Sequence, residues 1–437
     1  MTATTFLITD FGAVADDPVP QTAAIQKTID HAHAQGGGTV VVPEGVFATG
    51  CIELRSNITL HLLSGAVLKG SRNLLDYMPS DLPKPPEATR RYDPYCRWNN
   101  ALIKAVDCEN IAIIGEEGSL IDGSSPYDPL GEEGFRGPHG IDIHRGKNIV
   151  LRGYTIAHAG NFAHALFFCE NVAAHGLRVL GGHDGFNFRG CANVRVEGCL
   201  FETGDDCFAA YGVRNVVIRD CRMNSSCSAM RMGGTNVMVE NCHIYGPGRY
   251  MFRTRLCLED KIAGAHPDPA AEPYRPHHVM LGVLTYCYNE KLPLPGRPER
   301  MMFRNCTMEG MDRVLLYNAS GSDPWQSGNP LRDVHFENVE MSGIRDGLVA
   351  YGTEDVPLTL TMTNVTFRFR EGREDQPLLR AGHCKRIALK NVSLPNAKGP
   401  LVKTWTACGI EFDHVAAAVP ENRRVVAAEE PFHVDCI

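Results

Sequence analysis

NVRVEGC at 193–199, NVVIRDC at 215–221 and NVMVENC at 236–242 are three copies of one phrase. Each opens on asparagine, alternates branched apolar residues with other residues, and closes on a turn. Earlier copies are NIAIIG from Asn110, NIVLRG from Asn148 and NVAAHG from Asn171. The six asparagines are spaced by 38, 23, 22, 22 and 21 residues. Looser copies follow as MMFRNC (301–306), VHFENV (334–339) and IALKNV (387–392). Short alternating strands recurring about every 22 residues specify a β-solenoid, whose corresponding strands stack in parallel from coil to coil. A leucine-rich-repeat horseshoe has a similar period, but its Leu-rich phrase is absent. A sandwich or closed barrel does not explain the regular spacing.

The same spacing accounts for much of the cysteine. Cys169 and Cys191 are one period apart, as are Cys199, Cys221 and Cys242. They read as columns of small buried side chains rather than as disulfides or ligands. No Cys/His cluster has zinc-site spacing, so neither metal nor cofactor is expected. The fold class expected is all-β, a single-domain right-handed parallel β-helix with an N-terminal capping helix. The domain spans 1–437, with a cap over 1–38, coils over 39–415 and a tail over 416–437. Ile25, Ile29 and Ala32 give residues 20–35 one apolar helical face, Pro20 can open that helix, and Gly36–Gly38 end it. Such a helix covers the first backbone edge of the stack. Residues 71–100 read as a Pro-rich flanking loop. The insertion at 259–300 holds seven Pro with His277, His278, Tyr286 and Tyr288, and reads as a loop bordering a cleft.

Bulk composition narrows the function. A net charge of −8 without a basic block gives no nucleic-acid footprint. No apolar run is long enough to span a membrane. MTATTFLITDFGA lacks the charged and apolar regions of a signal peptide, from which a cytoplasmic protein is expected. The partner expected is an oligosaccharide or polysaccharide; oligomeric state is not legible.

Three coils align as HDGFNF (183–188), DDCFAA (205–210) and CSAMRM (227–232). Phe186, Phe208 and Met230 form one inward column, and Asn187, Ala209 and Arg231 face the other way. Asp184, Asp205 and Asp206 then fall at strand starts on adjacent rungs, about 4.8 Å apart. Carboxylates so close cannot all ionise freely. One protonated and one ionised carboxyl is what glycoside hydrolysis requires. Turn formation or calcium ligation are the plainer readings of the same residues.

The sequence resembles glycoside hydrolase family 28, the polygalacturonases and their relatives, from residue 8 to about 310. The likeness is carried by DFGAVADD (10–17), TAAIQKTID (22–30), GGGTVVVPEGVF (36–47), SNITLHLLSGAVLKGS (56–71), GSLIDG (118–123) and RGPHGIDIHRGKNIVL (136–151). The family's Gly-Asp-Asp motif stands intact as Gly204-Asp205-Asp206, and only the Asp of its Asn-Thr-Asp motif survives, at Asp184. The resemblance implies an inverting hydrolase of uronic-acid-containing, pectin-derived oligosaccharides. Asp205 would be the general acid, and Asp184 and Asp206 would activate water. The family's Gly-His-Gly falls on Cys227-Ser228-Ala229, so its histidine is missing, and its Arg-Ile-Lys lies nearest Arg253-Thr254-Arg255. Arg253 and Arg255 are therefore candidate substrate contacts, and His183 a candidate replacement for the histidine. Arg231, one rung beyond Asp206, is a further candidate substrate contact, with lowering of a neighbouring Asp pKa or pairing with an acidic side chain as the alternatives. Tyr250 and Trp325 are candidate sugar platforms, with buried packing the alternative. His144, His158 and His164 read as structural. Two other functions fit the fold: a polysaccharide lyase, which needs a basic residue and calcium, and a non-catalytic glycan-binding helix.

Overall fold

A computed structural model describes residues 4–77, 92–271, 282, 284–285, 296–319, 330–406 and 409–428. The chain divides into two compact units, residues 1–205 with 250–276, and residues 206–249 with 277–437. Each is a stack of parallel coils.

In the first unit every complete coil contributes three strands, and each strand pairs in parallel with its counterpart in the next coil. One column runs through Lys147–Arg152, Glu170–His175 and Ala192–Glu197. A second runs through Thr155–Ala157, Arg178–Gly181 and Leu200–Thr203. The third runs through His139–His144, His164–Phe167 and Phe186–Arg189. First-column strands alternate as their sequence does: Ile149, Leu151, Val172, Ala174, Val194 and Val196 are buried, with exposed residues between them. Third-column strands are buried on both faces. Their outer face is covered by Phe162, Tyr92 and Trp98, which pack on Ala165 and Phe167. Asn187 lies on this column and is buried rather than exposed.

The asparagine that opens each phrase does two jobs. Asn57, Asn110, Asn148, Asn171 and Asn193 all take left-handed φ between 56° and 65°. Asparagine tolerates that conformation better than most residues. Each side-chain amide then donates to the asparagine one coil earlier, at 3.0–3.1 Å from Asn110 to Asn193. The opposite end of these strands turns at left-handed Gly65, Gly118, Gly153, Gly176 and Gly198.

The cap is an α-helix, α1 (Thr22–Ala34), with Ile25, Thr28, Ile29 and Ala32 buried. A strand Thr5–Leu7 precedes it and pairs with Thr39–Val41. Cys169, Cys191 and Cys199 are buried, as the column reading requires.

In the second unit the strands lengthen and run through the corner, as in Asp333–Ile344, Leu358–Phe369 and Cys384–Leu394. Here the far corner carries asparagine instead of glycine. Asn241, Asn305, Asn338, Asn364 and Asn391 form a second ladder with bonds of 2.8–3.2 Å. This explains the looser copies: their asparagine has moved from one end of the strand to the other. Phe208 pairs with Met230, Ala209 with Arg231 and Ala210 with Met232, the register read from the repeat. Coils continue past residue 415, since Val425–Ala427 pairs with Val402–Thr404. Residues 78–91 of the 71–100 loop and half of the 259–300 insertion lie outside the described residues, including His277, His278, Tyr286 and Tyr288; so does Trp325.

Candidate functional site

In the first unit, Asp184 and Asp205 occupy turns that end the second strand column. The turns are welded together: the Gly204 amide donates to the Gly181 carbonyl at 2.8 Å. A Cβ on Gly204 would stand 2.7 Å from the Gly182 carbonyl oxygen and 2.0 Å from that of Met251. Glycine is therefore required at 204 by the approach of two backbones. Thr203 Oγ1 donates to the Asp205 carbonyl at 2.7 Å, fixing the turn from inside.

Both carboxyls are buried. Asp184 accepts from the Asn187 amide at 2.9 Å, and Asn187 in turn accepts from Arg189 Nε at 3.1 Å. The turn holding Asp184 is supported by His164. Its amide donates to the Gly185 carbonyl at 3.1 Å. Its Nδ1 lies 3.0 Å from that same oxygen, its Nε2 lies 3.0 Å from the Tyr154 hydroxyl, and its ring stacks on Phe186 at 4.2 Å. Burial pushes His164 down to about 4, so the ring is neutral at pH 7. Neutrality makes Nδ1 the donor and Nε2 the acceptor. His144 and His158 are likewise engaged locally, 3.1 Å from Asp142 and 3.2 Å from Asp122 respectively.

Asp205 sits between two guanidinium groups. Arg253 pairs with its Oδ2, and Arg136 Nη2 lies 3.5 Å from the same oxygen. Arg253 also forks Glu133, at 3.0 Å through Nε and 2.9 Å through Nη2. Arg136, buried, donates to Asn161 at 2.9 Å and to Glu133 at 3.2 Å. Burial lowers and Asp205 with Glu133 raises the basicity of Arg253, and the carboxylates win. The repeat placed a cation, Arg231, one rung beyond Asp206 but none at Asp205, and Arg253 came from the family resemblance alone. Arg136 was missed because it lies in a Gly/Pro turn, outside any strand period; Glu132 and Glu133 just ahead of it are the one local signal.

His183 is half-buried beside Phe135, with ring centroids 6.1 Å apart. Burial first, then the charges of Arg136 and Arg253, push it well below its usual value, leaving a neutral imidazole. It lines a recess of about 40 Å³ together with Phe135, Arg253, Asp260, Lys261 and His266. A groove of about 920 Å³ adjoins it, sharing Gly264 and His266 and running past Asp122, Arg72, Lys69 and Asp16. That volume is in the range of ligand clefts. The described part of the insertion thus borders a cleft. Arg255 is exposed and lines neither space, and Tyr250 meets His266 edge-on at 6.2 Å.

In the second unit, Asp206 is buried and pairs with Arg231 Nε at 3.2 Å. Arg231 therefore serves a carboxylate of its own chain.

Residues 99–244 match a family model described as a right-handed β-helix region. An exo-poly-α-D-galacturonosidase of Dickeya chrysanthemi is 38% identical over 126 residues, 27% of this chain and 19% of that protein. The mannuronan C5-epimerase AlgE1 of Azotobacter vinelandii is 44% identical over 59 residues, 12% of this chain and 4% of that protein. The chain thus spans less than a fifth of the length of these relatives. The solved family 28 exopolygalacturonase of Yersinia enterocolitica superposes with a TM-score of 0.65 at 18% identity, covering 99% of this chain and 79% of that one. Among the described residues no helix is long and apolar enough to cross a membrane. The chain has the right-handed parallel β-helix fold, and part of it resembles an exo-poly-α-D-galacturonosidase.

Proposed function

We propose that this protein is an inverting glycoside hydrolase acting on a uronic-acid-containing, pectin-derived oligosaccharide. Asp205 donates the proton to the leaving oxygen, and Asp184 holds and activates the attacking water. The observation that carries this reading is the pair of buried carboxyls, Asp184 and Asp205, on directly bonded successive turns. The stretch matched to the exo-poly-α-D-galacturonosidase supports the same substrate class.

Arg253 and Arg136 hold the Asp205 carboxyl in place from two sides.

Elimination at a uronate is the second reading, favoured by the basic residues Arg136 and Arg253 that stand at Asp205. Wild-type protein and Asp205→Asn, incubated with pectic oligosaccharides, separate the two. Hydrolysis gives a saturated product whose first-formed anomer, read by NMR, is inverted. Elimination gives an unsaturated uronide absorbing in the ultraviolet. Unchanged turnover in Asp205→Asn would remove Asp205 from the acid role; bound glycan without turnover in the wild type would favour a binding protein.

A further inference from the structure

The insertion that crosses the recess is held with more contacts than a passive loop needs. Its short helix, α2 (Leu258–Ala263), starts where Cys257 Sγ accepts from the Asp260 amide and ends at left-handed Gly264. Arg72, some 190 residues earlier, donates to the carbonyls of Ile262 and Ala263 at 2.7 and 2.6 Å. Ser125 Oγ lies 3.2 Å from His266 Nε2 just beyond. A Cβ on Gly264 would come within 2.9 Å of the Ser125 carbonyl oxygen, so the segment lies tight on the coil. What this fastening positions is Lys261. Its ammonium stands 4.3 Å above the centre of the Phe135 ring, at the recess that His183 and Arg253 also line.

Among the described residues Lys261 has no carboxylate within ion-pair distance, unlike the other cations at this place. Arg253 is committed to Asp205 and Glu133, and Arg136 to Asp205, Glu132 and Glu133. Asp260, the acidic residue of the recess, receives the Cys257 thiol at 3.2 Å. An exposed lysine ordinarily keeps its head in bulk water; here the aromatic face holds a positive charge at a small opening. About 40 Å³ takes roughly two or three waters, which is the size of a carboxylate group and too small for a sugar ring.

We infer that Lys261 is the specificity-determining contact for the carboxylate of a uronate residue, which seats its acid group in this recess while its ring lies outside. The inference rests on the glycan-active reading of the same site and adds the group that separates acidic from neutral or esterified sugars. Lys261 contacts the substrate and takes no part in proton transfer.

The test is calorimetric titration of the full chain with trigalacturonate and with its methyl ester, for the wild type, Lys261→Gln and Lys261→Arg. Wild type should bind the acid at least tenfold more tightly than the ester. Lys261→Gln should lose about tenfold or more on the acid, as expected for a charge-assisted contact, and less than twofold on the ester. Lys261→Arg should recover most of the difference. Equal losses on both ligands, no loss on the acid, or no acid preference in the wild type would overturn the inference. Turnover measured on the same samples keeps the two readings apart. Acid-selective binding that Lys261→Gln abolishes, in a protein with no turnover, sinks the hydrolase and leaves Lys261 standing. Hydrolysis by a wild type without acid preference does the reverse.

Discussion

Replacing Gly204 by alanine tests whether the two turns must touch. The added Cβ meets the Met251 carbonyl oxygen at 2.0 Å and the Gly182 carbonyl oxygen at 2.7 Å. Contact without repulsion begins near about 3.5 Å, so one backbone has to retreat by roughly 1.5 Å. Both obstacles are main-chain atoms, and no rotamer change absorbs the clash. Overpacking of this kind costs about 1–3 kcal/mol, a fall in Tm of roughly 2–12 °C for a unit of this size. The rate should suffer more. Asp205 follows directly in sequence, and Arg253 lies two residues beyond Met251, so either retreat displaces the clamped pair. A misplacement of about 1 Å is worth roughly 10²-fold in turnover. Thermal melts and initial rates on one oligosaccharide read both quantities. Gly198→Ala is the control: its φ of 59° strains any side chain, but the nearest atom to a new Cβ is His175 Nε2 at 4.0 Å. That variant should lose stability and keep its rate. Wild-type turnover in Gly204→Ala would show that the turn contact is packing alone and would refute the reasoning.

Two further outcomes follow from the scaffold. Asn171→Ala forfeits the bonds to Asn148 and from Asn193 and puts alanine at a φ of 57°, at a cost of about 2–4 kcal/mol in urea unfolding; Asn171→Gly, which accepts the backbone, should lose clearly less. His164 is neutral in the fold, with its value lowered to about 4 against about 6.5 in an unfolded chain. A depressed value means that its contribution is complete above pH 6.5 and is lost as the pH falls toward 4, by roughly 3 kcal/mol at the lower end. Urea midpoints measured from pH 8 to 4 should therefore fall less steeply in His164→Phe, which also removes the support of the Gly185 carbonyl; an unchanged slope would contradict the assignment.

Much of the fold was legible because a solenoid writes its geometry as a period. Asn110, Asn148, Asn171 and Asn193 mark coils regardless of what lies between them, and the register of Phe208 on Met230 follows by counting. The carboxyls were legible for the same reason, since each stands at a strand start. Their neighbours were not. Arg136 and Lys261 come from a turn and from an insertion, where no period fixes position, and only the folded chain brings them to Asp205 and Phe135. The inward column of Phe186 was readable from alternation, whereas the burial of outward Asn187 depends on distant chain laid over that face. In the looser copies the repeat is carried by asparagine standing where earlier coils have glycine, at a left-handed turn.

The asparagine ladder has a consequence for how such a protein can be rebuilt. Its bonds join Asn57 to Asn110, Asn110 to Asn148 and Asn148 to Asn171 at the same 3.0 Å, although the chain between partners shrinks from 53 to 38 to 23 residues. The spine numbers coils and is indifferent to contour length. A segment of any size can be spliced in at a corner, provided the next asparagine returns to its rung. The hardware that reads a substrate, such as α2 with Lys261, is thereby exchangeable without renegotiating the core, and grafting a foreign corner loop between two rungs is a practical route to new specificities on this frame.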